Sequence, residues 1–134
     1  MTPSGILETA LYATDLDAAE DFYSGILGLE KIIRIGDRHV FFRCGAGVLL
    51  IFNPVETRKV SGPLPIPPHG AEGDGHVCFR GSAGEIAKWR THLEAEGVKI
   101  ESDFDWPQGG RSIYFRDPAG NSIEFAEPRI WGLE

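Results

Sequence analysis

The sequence predicts an α+β fold built from two tandem βαβββ modules, and two features lead to that prediction. Residues 38–52 resemble residues 111–125, and each segment has an alternating strand, a turn with glycine and a second strand. A strand-like segment and an amphipathic helix precede each hairpin. The 134 residues are 42% hydrophobic, which suits a single domain with a real core. We expect module one at 5–53, a linker at 54–73, module two at 74–127 and a tail at 128–134.

The first module begins with the alternating residues 6–14, a pattern typical of a β-strand. Asp15 or Asp17 can then cap a helix by accepting a backbone N–H. Gly28 is typical of the left-handed residue that ends a helix, and residues 29–35 form the next predicted strand. The apolar side chains of this helix recur at helical spacing and comprise Ala19, Phe22, Tyr23, Ile26 and Leu27.

The second module repeats this order. Residues 75–81 form its first predicted strand, and Ser82 with Glu85 has the spacing of a capping box. Gly97 ends the helix, and residues 98–102 are expected to form the following strand. The apolar face of the helix consists of Ile86, Trp89 and Leu93.

The linker at 54–73 contains five of the nine prolines, so regular structure is not expected there. A loop of this length is either a spacer or a lid over a cleft, and the sequence leaves both open.

Charge and composition exclude several classes of function. The net charge is −7 with no basic stripe, which argues against nucleic-acid binding. No apolar segment approaches the roughly 20 residues of a membrane span, and the N-terminus lacks a signal-like segment, so we expect a cytosolic protein. Cys44 and Cys78 have no CxxC spacing and are expected to be free thiols.

Strand alternation singles out three ionisable residues. Glu8 and His76 occupy equivalent positions in the first strand of each module, and Glu124 lies in the last strand. An ionisable group within an apolar strand is costly unless it is paired or binds a metal, so we expect these three to hold a divalent ion with positions open for substrate. The ungapped repeat aligns Ile51 with Glu124, which leaves three ligands and an apolar wall.

Further residues are expected near this site. Tyr114 and Ser112 share a strand face, and their repeat partners are Phe41 and His39. Tyr114 could donate a hydrogen bond to a substrate oxygen, and His39 could move a proton near neutral pH. Structural packing is the alternative for both.

Two more side chains have open roles. Arg111 could bind an anionic substrate group, although its repeat partner Arg38 suggests a structural role where a strand begins. Trp106 could wall the pocket or belong to the core. His69 and His92 have no predicted partners.

Three segments carry a family resemblance: residues 13–30, 73–80 and 109–125. They resemble the vicinal oxygen chelate superfamily, which includes glyoxalases, bleomycin resistance proteins and extradiol dioxygenases. The resemblance implies an open curled barrel around a divalent ion (Zn, Ni, Mn, Mg or Fe), held by Glu8, His76 and Glu124. It implies a lyase- or isomerase-type proton transfer on a small oxygenated substrate, with Glu8 or Glu124 as the base.

Two alternatives stay open. A ring-cleaving dioxygenase is one. Non-haem iron sites of that class use two histidines and one carboxylate, whereas this chain has Glu8 at the position where the superfamily usually has its first histidine ligand. A drug-sequestering binding protein is the other. The apolar Ile51 argues against glyoxalase I activity, because that enzyme typically has an acidic fourth ligand. Exposed sheet edges and the resemblance both predict a homodimer.

Overall fold

A computed structural model describes residues 1–60 and 62–134, and it confirms the α+β class with a βαβββ order in each half. The chain forms two compact units, Met1–Asp74 and Gly75–Glu134. The first unit contains β1 (Glu8–Tyr12), α1 (Leu16–Glu20), β2 (Glu30–Ile35), β3 (His39–Cys44), β4 (Gly47–Phe52) and α2 (Pro54–Thr57). The second contains β5 (His76–Arg80), α3 (Ala83–Ala95), β6 (Ser102–Asp105), β7 (Arg111–Arg116) and β8 (Ser122–Ala126), followed by a 3-10 turn at Pro128–Trp131.

Each unit contains one four-stranded sheet with the same topology. The strand orders are β1-β4-β3-β2 and β5-β8-β7-β6. The first strand pairs in parallel with the last strand of its unit, and the remaining pairs are antiparallel. One face of each sheet packs on the helix of its unit, through Tyr23 on Phe42 in the first and Trp89 on Phe125 in the second, and alternate side chains lie on the other face.

The helix starts follow the predicted caps. Asp15 accepts a hydrogen bond from the Ala18 backbone at 3.0 Å, so the first of the two candidate caps is used. The helix continues beyond α1 as a π-helical segment, Asp21–Ile26, and Gly28 follows with a φ of 73°. Tyr23 from this segment is fully buried.

The capping box of α3 is also confirmed. The Ser82 hydroxyl accepts from the Glu85 backbone, and the Glu85 carboxylate accepts from the Ser82 backbone. Ile86 and Leu93 are fully buried, and Trp89 stacks on Phe125 with ring centroids 4.7 Å apart.

One predicted strand boundary and one predicted absence of regular structure were wrong. The strand expected at residues 98–102 is β6, which begins only at Ser102, because the Val98 backbone still bonds to the Leu93 carbonyl at the helix end. The linker begins with a short helix, α2, since Asn53 caps it and proline is tolerated in a first helical turn. Ser61 of the predicted linker lies outside the described residues. No helix among the described residues is long and apolar enough to cross a membrane.

An ion-pair network fastens β6 to β7 and α3. Arg111 donates two hydrogen bonds to Asp103, at 2.9 and 2.7 Å, and Arg90 from α3 contacts the same carboxylate. The hydrogen bonds from Arg111, and after them those from Arg90, lower the pKa of Asp103 to about 2, although burial alone would raise it.

We expect Asp103→Asn to lower the free energy of unfolding by about 1–2 kcal/mol at neutral pH. The folded-state pKa lies below the unfolded one, so the stabilisation is present above about pH 4 and disappears as the pH falls towards 2. Urea unfolding of wild type and variant at several pH values measures this. The exposed Asp105→Asn is the control, and a stability difference that persists at pH 2 would contradict the argument.

Candidate metal centre

One face of the second sheet carries the ionisable residues of the predicted site. Register places Cys78, Glu124 and Tyr114 side by side across β5, β8 and β7, and it places His76 beside Ser122. Residues directly opposite each other on neighbouring strands share a face. The opposite face packs on α3 through Phe125 and carries the Arg111–Asp103 ion pair towards its β6 edge. The sheet therefore gathers polar groups on the face away from its helix.

Glu124 is a buried carboxylate with an unsatisfied oxygen. The residue is 5% exposed, and its Oε1 atom has no hydrogen-bond partner among the described residues. A buried carboxylate oxygen that lacks a partner costs free energy, so this one atom points to a further group at the site.

His76 presents a nitrogen to the same carboxylate. Its Nδ1 donates a hydrogen bond to the Ser122 carbonyl at 3.0 Å, which fixes the tautomer and leaves the lone pair of the neutral ring on Nε2. That Nε2 lies 3.3 Å from Glu124 Oε2. Two acceptors this close repel each other unless a proton or a cation lies with them.

These contacts fit a divalent ion. Metal-binding histidines usually donate their second ring N–H to a carbonyl or a carboxylate, as His76 does to Ser122. Imidazole nitrogen and carboxylate oxygen are ordinary ligands for Zn, Ni and Mn. Within the described residues, no three His, Cys, Asp or Glu side chains gather closely enough to form a complete metal site. Unit two thus supplies a histidine–carboxylate pair.

Tyr114 and Cys78 flank the pair as proton-bearing groups. Burial, reinforced by the Glu124 carboxylate, raises the pKa of Tyr114 to about 12. The same two causes raise the pKa of the Cys78 thiol to about 12. Both groups are therefore protonated at neutral pH, and Tyr114 is a hydrogen-bond donor beside Glu124 rather than a base.

Ser112 and Trp106 lie on the Tyr114 side of this face. Ser112 is fully buried, and its hydroxyl accepts a hydrogen bond from the Trp106 indole at 2.8 Å. Trp106 also contacts Phe104 edge to face, with ring centroids 4.9 Å apart. Trp106 is therefore held in place by both neighbours.

Strand register supports the equivalence of Glu8 and His76. Glu8 is the first residue of β1 and pairs with Val48, as His76 is the first residue of β5 and pairs with Ser122. The Glu8 side chain is exposed in its own unit.

The predicted counterpart of Glu124 was wrong by one residue. Four residues, 44–47, separate the paired Arg43 and Val48, whereas five, 117–121, separate Arg116 and Ser122. The extra residue shifts the alignment, so Leu50 and not Ile51 matches Glu124. A one-residue shift moves a side chain to the opposite face.

Leu50 fits that corrected position. It pairs with Phe41 as Glu124 pairs with Tyr114, whereas Ile51 pairs with Val40 in the apolar core. Ile51 therefore faces the helix and is not a wall of the site. The expectation that this position is apolar still holds, because Leu50 also lacks a ligand atom.

Comparison with known proteins decides the family. Residues 5–125 match the Glyoxalase/Bleomycin resistance protein/Dioxygenase superfamily. The chain belongs to this superfamily.

Several solved structures are similar to this chain, whereas no curated protein matches it. A lactoylglutathione lyase from Agrobacterium tumefaciens is 48% identical with a TM-score of 0.95, covering 99% of this chain and 100% of that one. A glyoxalase/bleomycin resistance protein/dioxygenase from Nocardioides is 25% identical with a TM-score of 0.74, covering 95% and 85%. TioX from Micromonospora sp. ML1 is 25% identical with a TM-score of 0.73, covering 92% and 98%.

The first unit of this glyoxalase-superfamily chain presents an aromatic face. His39 stacks on Phe41 with centroids 4.1 Å apart, and burial together with Arg38 lowers the pKa of His39. The neutral ring is favoured, and its Nδ1 accepts a hydrogen bond from the Arg38 guanidinium at 2.8 Å, so the ring proton lies on Nε2 and His39 presents a hydrogen-bond donor.

His69, for which no partner was predicted, belongs to the same face. Its Nδ1 lies 2.8 Å from the Tyr12 hydroxyl, and its ring contacts Phe52 with centroids 4.6 Å apart. This end of the linker therefore packs onto the sheet. His92 likewise has a neighbour, since its ring meets Trp89 edge to face.

Arg111 lies apart from the pair. Its register partner is Asp105, and its guanidinium is held by Asp103 beside Arg90 of α3. Strand alternation places Arg111 on the face opposite Tyr114. Of the two predicted roles, these contacts fit the structural one.

Phe104 on β6 was missed by sequence reasoning. It is 38% exposed and its ring lies nearly parallel to that of Tyr114, at 3° and 6.0 Å between centroids. It was missed because the strand was expected at 98–102, which puts Phe104 in a loop. The structure places it within β6.

Proposed function

We propose that this chain is a metal-dependent enzyme that catalyses a lyase- or isomerase-type proton transfer on a small oxygenated substrate. The observation that carries the proposal is the apposition of His76 Nε2 and Glu124 Oε2 at 3.3 Å, beside an unpartnered carboxylate oxygen. Membership of the superfamily and the similarity to a lactoylglutathione lyase support it.

His76 and Glu124 would hold the ion, and the register equivalence with His76 supports Glu8 as the third ligand. A bound divalent ion supplies Lewis-acid stabilisation of a developing oxyanion. Glu124 Oε1 is free to accept a proton from a substrate carbon, with Glu8 as the other candidate base. The Tyr114 hydroxyl, which stays protonated, donates to a substrate oxygen on the same face.

Metal loading tests the proposal. Purified protein is incubated separately with Mn, Ni, Zn, Mg and Fe(II), dialysed, and analysed for metal. We expect about one ion per chain for at least one of these metals, followed by ion-dependent exchange of an α-hydrogen with solvent deuterium across a panel of hydroxy and keto acids. Retention of no metal would refute the site and would favour the drug-binding alternative. Tight Fe(II) with oxygen consumption would favour the dioxygenase alternative.

Glyoxalase I is a second candidate, favoured by the name of the similar Agrobacterium tumefaciens protein. Leu50 argues against it, because the position equivalent to Glu124 offers no oxygen in unit one. We therefore expect turnover of methylglyoxal with glutathione well below the ~10 s⁻¹ of an ordinary enzyme, whichever metal is loaded. Leu50→Glu is expected to raise this turnover. Wild-type turnover at ~10 s⁻¹ or more would make glyoxalase I the leading function.

We also propose that the protein is a homodimer in the cytoplasm. Edge strands such as β2 present unpaired backbone groups and exposed apolar side chains, including Ile32, Ile33 and Ile35. Such an edge is usually covered by another chain or element. Sedimentation equilibrium is expected to give twice the mass of one chain, and a monomer mass at working concentrations would contradict the dimer.

A further inference from the structure

A shallow cavity adjoins the histidine–carboxylate pair. Its volume is about 280 Å³, and it lies entirely within unit two. This size suits one ring with a few substituents, since pockets for larger ligands start at roughly 300 Å³. The residues that line it are Glu101, Ser102, Phe104, Tyr114, Arg116 and Ser122.

Two aromatic rings form the apolar part of the cavity. Phe104 and Tyr114 are nearly parallel, and the His76 ring continues this orientation at 20° to Tyr114. Phe104 is 38% exposed, so its ring is available to a ligand. Exposed flat surfaces of this kind stack well with another planar ring.

The polar part of the cavity is neutral overall. The Arg116 guanidinium is paired with the Glu101 carboxylate at 2.7 and 3.1 Å, so the two charges balance. The cavity therefore offers hydroxyl groups and no uncompensated charge, which favours an uncharged polar substituent.

The cavity lies on the same face of the sheet as the proposed metal ligands. Tyr114 pairs with Glu124 and Ser122 pairs with His76, so two lining residues are also the direct neighbours of the ligand pair. Because the lining residues and the ligand pair share this face, we expect the oxygen-bearing groups attached to such a ring to lie on the His76 and Glu124 side.

We propose that the substrate carries a planar aromatic ring, which binds against Phe104 and Tyr114. This inference rests on the proposed function, because the oxygen-bearing group attached to the ring is assigned to the metal ligands His76 and Glu124. The ring subsite itself depends only on residues of the cavity.

Matched ligands test the ring subsite in the metal-loaded protein. Mandelate, hexahydromandelate and lactate carry the same hydroxy acid group and differ in an aromatic ring, a saturated ring and no ring. We expect calorimetry to show mandelate binding about three- to tenfold more tightly than hexahydromandelate, and more tightly still than lactate. Equal affinity for mandelate and hexahydromandelate would overturn the proposal.

Variants locate the effect. Phe104→Ala and Phe104→Leu should each reduce mandelate affinity by about three- to tenfold and leave lactate binding unchanged; the leucine variant keeps apolar bulk. Trp131→Ala is the control, since Trp131 is a 78% exposed aromatic outside the cavity. Unchanged mandelate affinity in both Phe104 variants would refute the subsite.

A metal-free arm separates this inference from the proposed function. Chelator-treated protein is mixed with benzyl alcohol, and saturation-transfer NMR monitors the ring protons. We expect transfer in wild type and Trp131→Ala and its loss in Phe104→Ala. Transfer without any metal retention would uphold the ring subsite while the proposed function fails. Absence of transfer in wild type would overturn the ring subsite whatever the metal result.

Discussion

Replacing His76 by alanine is expected to abolish metal retention while the fold survives. His76 contributes Nε2 beside Glu124, so its loss removes one of the two ligands that unit two supplies. Loss of even a supporting contact around a metal costs 10- to 100-fold in affinity, so we expect a fall of at least about 100-fold here. The His76 side chain is 50% exposed, so its truncation opens no cavity in the core.

Metal analysis after dialysis and thermal unfolding by circular dichroism measure both parts of this result. His92→Ala is the matched control, because His92 is an exposed histidine in α3 on the helix side of the sheet. It should retain metal as the wild type does. Full metal retention by His76→Ala would show that His76 is not a ligand. Equal loss of metal in His76→Ala and His92→Ala would contradict the assignment as well, because the effect would not be specific to His76.

The second large effect has opposite signs for binding and stability. Glu124→Leu should eliminate metal retention and raise the free energy of unfolding of the metal-free protein by about 1–3 kcal/mol. The gain arises because the substitution removes a buried carboxylate whose Oε1 atom has no partner. Leucine is suited to the position, since Leu50 occupies the equivalent place in unit one and is buried there. Functional sites often retain such unfavourable groups.

Urea unfolding in the presence of chelator gives the stability change. Glu127→Leu is the control with the opposite expected sign: Glu127 is also buried, but its carboxylate accepts from the Arg111 backbone at 2.7 Å and pairs with Arg129. Its loss should destabilise the protein. A destabilised Glu124→Leu would show that Glu124 is a satisfied structural carboxylate, contrary to the proposed site.

Patterns within short segments determined much of the fold. The capping box at Ser82 and the stops at Gly28 and Gly97 depend on residues a few positions apart and were predicted, and the first cap was narrowed to Asp15 or Asp17, of which the structure uses Asp15. Alternation along a strand also placed Ser112 and Tyr114 on one face of β7, because side-chain direction within a strand depends only on parity.

Strand pairing was decided by the tertiary structure. The second hairpin has one extra loop residue, where Asn121 hydrogen-bonds to Asp117, and an ungapped sequence comparison cannot see which residues pair across a turn. Because of that single residue, the counterpart of Glu124 is Leu50 and not Ile51. A shift of one residue moves a side chain to the opposite face of the sheet.

The sequence by itself determined the two βαβββ modules, the equivalence of Glu8 with His76, and the selection of Glu124 as a candidate ligand. Only the tertiary structure brought His76 Nε2 to 3.3 Å from Glu124 Oε2, left Oε1 without a partner, joined Arg111 to Asp103, and set Phe104 beside Tyr114. The physical reason is the separation along the chain between the residues that interact. Caps, stripes and alternation arise from neighbours along the chain, whereas these contacts join residues on different strands, whose proximity depends on register and packing.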